Sequence, residues 1–194
     1  MDWVKAAFYG KKSRMKIPAF ALSIALVLGL SGVAHAELPK GARAPLFKAQ
    51  GALAGRAYTF DLAAALKRGP VVLYFYPKAF TSGCTAEAHA FAEASGDFAK
   101  AGATVVGMSR DDIATLRKFS REACRDRFAV ASASAEVVRG YDVALNVAGV
   151  NTGVTKRTSY VIGQDGRIAM VHSDMDWRQH VRLTLEAVRR LRRK

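Results

Sequence analysis

The chain has 194 residues, the length of one domain, with 51% hydrophobic and 24% charged residues, a balance that excludes both a disordered tail and a membrane-embedded bundle. Thirty Lys and Arg against sixteen Asp and Glu give a formal charge of +14, which raises the question of an anionic partner. The two cysteines, Cys84 and Cys124, are too few for a disulfide-dense scaffold or a four-cysteine zinc site.

Residues 1–36 read as a secretory signal peptide. Lys11, Lys12, Arg14 and Lys16 precede an uncharged, mostly apolar run from Ile17 to Ala34, and Ala34-His35-Ala36 supplies a small-x-small cleavage site. The expectation is cleavage after Ala36, leaving one exported, periplasmic domain of residues 37–194 with no stable membrane insertion. The alternative is an uncleaved anchor, although Ala, Gly and Ser weaken the run in that role. Met15, followed by Lys16, could equally start an ordinary signal. An oxidising compartment also permits a structural disulfide, and closing a loop of about 40 residues would stabilise the fold by roughly 4 kcal/mol.

Leu38 to Gln50 reads as an irregular opening segment and Gly51 to Tyr58 as a turn with a short strand. Asp61 to Lys67 is a short helix stopped by Gly69-Pro70. Val71 to Tyr76 is an unbroken β-branched and aromatic run, a strand buried on both faces, and Pro77 ends it. Cys84 to Lys100 carries Ala88, Phe91, Ala92 and Phe98 at helical spacing, with Gly102 closing it, and Thr104 to Met108 is a second buried strand. Asp111 to Cys124 is a helix with Ile113, Leu116 and Phe119 on one face, and Glu136 to Tyr141 is a short one. Ser159–Ile162 and Ile168–Val171 form a hairpin around Gln164-Asp165-Gly166. Asp176 to Arg192 is a final helix with Val181, Leu185 and Val188 on one stripe and arginines opposite. No repeat or linker divides these elements. They predict one α/β domain, a three-layer sandwich with a mixed central β-sheet, in the element order of a thioredoxin-like fold.

The loop from Lys78 to Gly83 delivers Cys84 to the start of a helix, where unpaired backbone N–H groups and the positive end of the helix dipole favour a thiolate. Thr81 can turn its hydroxyl toward the sulfur or toward an oxygen beside it, and Glu87, one turn on, can pair with an arginine. The plain alternative is an ordinary buried cysteine.

Pro77-x-x-x-Thr81-x-x-Cys84 followed by Glu87 resembles the peroxiredoxin signature. The resemblance continues through Val72 to Pro77, Val105-Val106-Gly107, Arg157-Thr158-Ser159-Tyr160-Val161-Ile162 and Asp165-Gly166, and is greatest to the bacterioferritin comigratory protein (Prx Q) subgroup. It implies a thiol-dependent peroxidase, an oxidoreductase without a cofactor or metal, acting on hydrogen peroxide and organic hydroperoxides as a monomer or weak dimer. Cys84 is then the peroxidatic cysteine. Thr81 hydrogen-bonds peroxide and thiolate, Pro77 shields the sulfur from water, and Arg157 holds sulfur and peroxide oxygens with a planar fork whose charge does not titrate.

A sulfenic acid on Cys84 needs a second thiol. Many members of the resembled subgroup carry it five residues later, where this chain has His89. Cys124 is the internal candidate for a resolving cysteine, about one turn beyond the position that some members use on the next helix. Two schemes stay open: an intramolecular Cys84–Cys124 disulfide reduced by a thioredoxin-like or other thiol donor, and a one-cysteine cycle with Cys124 a bystander. Bridging needs the Cα atoms within about 7 Å, so the first requires the helices to loosen.

Two further classes compete: an envelope thiol-disulfide oxidoreductase, which would ordinarily place two cysteines two residues apart where Cys84 is followed by Thr85, Ala86 and Glu87, and a noncatalytic domain with a structural disulfide. His89, His172 and His180 lack metal-ligand spacing, and Trp177 and Tyr141 read as packing residues. The positive charge lies partly in the first 36 residues and partly in Arg189, Arg190, Arg192, Arg193 and Lys194. No nucleic-acid motif accompanies it, and no nucleic-acid partner is expected.

Overall fold

The structure, a computed structural model, describes residues 37–193. The expected signal segment and its cleavage site lie outside the described residues.

A mixed seven-stranded sheet forms the centre, in the order β2-β1-β5-β4-β3-β8-β9. β3 (Val71–Phe75), β4 (Thr104–Ser109) and β5 (Ala129–Ser132) run parallel, while β1 (Lys48–Leu53) and β8 (Thr158–Ile162) join them antiparallel on either side. β2 (Arg56–Asp61) and β9 (Ile168–Ser173) close the edges as hairpin partners.

Every residue of β3 is buried, and its alternation divides the core. Val72, Tyr74 and Tyr76 face one side with α2 (Ser82–Lys100), α3 (Ile113–Glu122) and α5 (His180–Arg192), whose Phe91, Phe119 and Val188 pack there. Val71, Leu73 and Phe75 face the other side with α1 (Leu62–Leu66) and α4 (Ala135–Gly140). A period of two on a strand sends successive side chains to opposite faces, so a continuous apolar run requires cover on both. The result is the thioredoxin-like three-layer sandwich.

Local signals set several boundaries. Asp61 caps α1 by accepting from Ala64 N at 3.0 Å, and Asp112 caps α3 by accepting from Thr115 N at 2.8 Å. Gly107 lies against the ring of Tyr74: a Cβ there would come within 2.8 Å of it, so the β4 backbone makes room for the tyrosine only as glycine.

The opening hairpin is longer than expected, because β1 begins at Lys48 and β2 runs to Asp61 around a turn in which Ala54 and Gly55 both have positive φ. Three strands were not expected at all. β5 is Ala-Val-Ala-Ser, a composition with little strand signal, and it forms because β1 and β4 flank it. β6 (Ala144–Val147) and β7 (Val150–Thr155) form a separate two-stranded arm whose tip exposes Val147 and Val150. The Thr155 hydroxyl donates to Tyr76 O at 2.7 Å, tying this arm to the end of β3. Among the described residues no helix is long and apolar enough to cross a membrane.

Candidate active site

β3 ends in the core, and Pro77 turns the chain into the loop that starts α2. Asp111, at the end of β4, holds this loop: its Oδ2 accepts from Ala79 N and from the Ser109 hydroxyl, both at 2.8 Å. Phe80 takes a left-handed φ of 64° and stacks edge-on against Phe119 of α3, with centroids 5.2 Å apart. A non-glycine residue in that region is strained, and the loop keeps it directly beside the start of α2.

Cys84 is the third residue of α2, within the turn whose N–H groups lack intrahelical partners, and its side chain is buried. Arg157 reaches it from the position just before β8, with Nη2 donating toward Cys84 Sγ at 3.5 Å. Nη1 of the same guanidinium donates to Glu87 Oε2, and Nε donates to Met175 O at 3.0 Å. Three fixed contacts in one plane leave the arginine little rotational freedom. A Cβ on Gly83 would sit 3.5 Å from Arg157 Nη2 and 3.8 Å from Trp177 Cδ1, so both side chains lie against Gly83.

Glu87 lies entirely in the interior, where burial pushes its carboxyl upward and the adjoining Arg157 guanidinium pulls it back toward the charged form. Its Oε1 makes no hydrogen bond among the described residues, while His180 Nδ1 stands 3.9 Å away. Burial pushes His180 down to about 4, so its ring is neutral in neutral solution.

Cys84 and Glu87, one turn apart on α2, thus meet the sequence-distant Arg157 in one buried cluster. Pro77 is half-buried at the loop entrance. Thr81 is exposed and ends the loop as the N-cap residue of α2, but its hydroxyl donates to Lys78 O at 3.1 Å rather than turning to the sulfur.

Cys124 does not lie within α3; it follows Ala123, which closes the helix, and it is fully buried in the same core layer as Cys84. Both cysteines are free thiols. Burial, with Asp126 adding, pushes the Cys124 thiol far above its ordinary range. Arg125 and Asp126 follow with φ of 51° and 58°, a pair of left-handed residues that reverses the chain out of the helix.

Sequence reasoning missed Ser159, Asp174, Met175, Trp177 and His180. Met175 and Asp174 act through backbone carbonyls, which leave no residue-type signal. His180 was set aside for lack of metal-ligand spacing, and its actual contacts span β8 and the segment after β9.

The AhpC/TSA family matches this chain over residues 40–171. Over 192 residues the chain is 30% identical to the chloroplastic peroxiredoxin Q of Triticum aestivum, covering 96% of this chain and 83% of that protein. It superposes on the crystal structure of peroxidoxin BcpB from Mycobacterium tuberculosis with a TM-score of 0.70 at 30% identity, covering 79% of this chain and 98% of that one. A structure of peroxiredoxin Q from Xanthomonas campestris gives a TM-score of 0.64 at 27% identity over 74% of this chain and 90% of that one.

Proposed function

The chain belongs to the AhpC/TSA family of thiol-dependent peroxidases, and from that premise we propose that Cys84 is its peroxidatic nucleophile, acting on hydrogen peroxide and organic hydroperoxides with Arg157 as the charge that organises the reaction. The observation carrying this reading is the 3.5 Å approach of Arg157 Nη2 to Cys84 Sγ, with both groups buried. In a water-poor setting an aimed positive charge stabilises both a thiolate and the negative charge that develops on a leaving oxygen.

The Cys84 thiolate attacks one peroxide oxygen, and an S–O bond forms as the O–O bond breaks. The departing oxygen takes a proton and leaves as water or an alcohol. Sulfur is oxidised by two electrons to the sulfenic acid and the peroxide is reduced by two. The Nη2 proton not directed at sulfur is available for a peroxide oxygen. Thr81, by rotation about its χ1 bond, exchanges Lys78 O for the incoming peroxide, and Pro77, with no N–H to hold water, walls the approach.

In the same reading Cys124 resolves the sulfenic acid: its thiol attacks Cys84 Sγ, a disulfide forms and water leaves. A thioredoxin-like dithiol then reduces that disulfide. The left-handed pair Arg125 and Asp126 supports this step, since a strained chain reversal loosens more readily than a regular turn. The composition of residues 1–36 supports export to the periplasm, which cell fractionation checks.

Peroxide consumption by wild type, Cys84→Ser and Cys124→Ser with several reductants tests the scheme. Cys84→Ser is expected to lose all turnover, and retained turnover overturns the assignment. After one equivalent of peroxide, disulfide mapping is expected to find Cys84 joined to Cys124. Free Cys124 beside oxidised Cys84 sinks the resolving role.

A further inference from the structure

We propose that His180 is a positioning residue for Arg157, clamping through its two ring nitrogens both the strand that follows the arginine and the segment that orients its guanidinium. The proposal rests on the peroxidatic reading of Cys84 and Arg157 and adds what holds that arginine in place.

His180 Nε2 lies 3.0 Å from Asp174 O. A carbonyl can only accept, so Nε2 carries the proton, and Nδ1 is then the acceptor for the Ser159 hydroxyl at 2.8 Å. Each contact leads to Arg157. Ser159 lies on β8 two residues beyond it. Asp174 donates its N–H to Arg157 O at 3.2 Å, and the adjacent Met175 supplies the carbonyl that accepts from Arg157 Nε at 3.0 Å.

The need for such a clamp follows from exposure. Residues 173–176 are exposed, with Met175 51% exposed, and an irregular exposed segment by itself holds a carbonyl poorly. His180, at 0% exposure, opens α5 and reaches that segment from the core. Its surroundings keep the ring in one orientation: the His172 ring of β9 packs edge-on with centroids 4.6 Å apart, Glu87 Oε1 of α2 stands 3.9 Å from Nδ1, and the charge of Arg157, just before β8, acts on the ring. The ring stays neutral at neutral pH, as its acceptor nitrogen requires.

Displacing a charge that must meet both sulfur and peroxide costs rate steeply with distance. His180→Phe keeps the bulk and the ring contact with His172 but removes both polar contacts. His180→Gln retains a donor that can reach Asp174 O. Rapid-reaction measurement of hydrogen peroxide reduction is expected to find His180→Phe slowed about 10- to 100-fold and His180→Gln within about 3-fold of wild type. Val188→Ala, a buried change elsewhere in α5, serves as a destabilised control and is expected to react at the wild-type rate. The Nε–H resonance of Arg157 provides a readout independent of peroxide, expected to exchange faster with water in His180→Phe than in wild type or His180→Gln. Folded His180→Phe with wild-type peroxide kinetics and an unchanged Arg157 resonance overturns the proposal, as does His180→Gln behaving like His180→Phe. Peroxide turnover by Cys84→Ser is a different failure and strikes the underlying assignment, while the Arg157 resonance still reports on the clamp.

Discussion

Arg157 and Glu87 form an ion pair with almost no access to solvent: Glu87 is 0% and Arg157 5% exposed. Desolvation makes such a pair a poor source of net stability, but losing one partner strands the other charge in the interior. Glu87→Leu is therefore expected to destabilise the protein by about 3–5 kcal/mol, read from urea unfolding. Arg157→Lys is expected to stay folded and lose about 100-fold in its rate with hydrogen peroxide, because one ammonium cannot replace a fork directed at Glu87, Met175 and Cys84 together. Wild-type kinetics in Arg157→Lys would remove the guanidinium from the mechanism.

His180 makes stability depend on pH below neutrality. Its folded-state value of about 4 lies below the ordinary value of 6.5, so between those limits the unfolded chain binds a proton that the folded one refuses. Stability is expected to fall as pH drops from about 6.5 toward 4, by up to about 3 kcal/mol from this group. Chemical denaturation across that range checks it, and the matching slope should be missing in His180→Gln.

The two thiols are expected to differ sharply toward alkylating reagents. Cys84 sits at a helix start beside a guanidinium, whereas Cys124 is sealed in the core with its thiol held protonated by burial. Timed alkylation of the reduced protein followed by mass spectrometry should label Cys84 well before Cys124. Equal rates would mean that the end of α3 opens without oxidation.

Asp126 has φ of 58°, where an L side chain is disfavoured and glycine is at ease. Asp126→Gly is expected to stabilise the reduced protein by about 0.5–1 kcal/mol, seen as a rise of roughly 1–4 °C in Tm. An unchanged or lower Tm would show that the left-handed turn is supported by contacts of the aspartate itself.

Much of the molecule was legible along the chain because it depends on local patterns. The run Val71–Tyr76 could only be a strand covered on both faces, and the spacing from Pro77 to Glu87 marked Cys84 and its helix. Small residues concealed β5, whose pairing comes from neighbours distant in sequence, and the exposed tip of the β6–β7 arm carried no amphipathic signal.

At the site, residue types and spacing were enough to single out Cys84, Thr81 and Glu87, which lie within one short stretch of chain, while Arg157 was reached only through the family resemblance. Folding decided how they meet. The direction of the Thr81 hydroxyl, the sealing of Cys124 behind α3 and the carbonyls of Asp174 and Met175 around Arg157 all depend on contacts between distant segments. Backbone oxygens are the same in every residue, so only the path of the chain determines which of them reaches the arginine and which buried histidine holds that path.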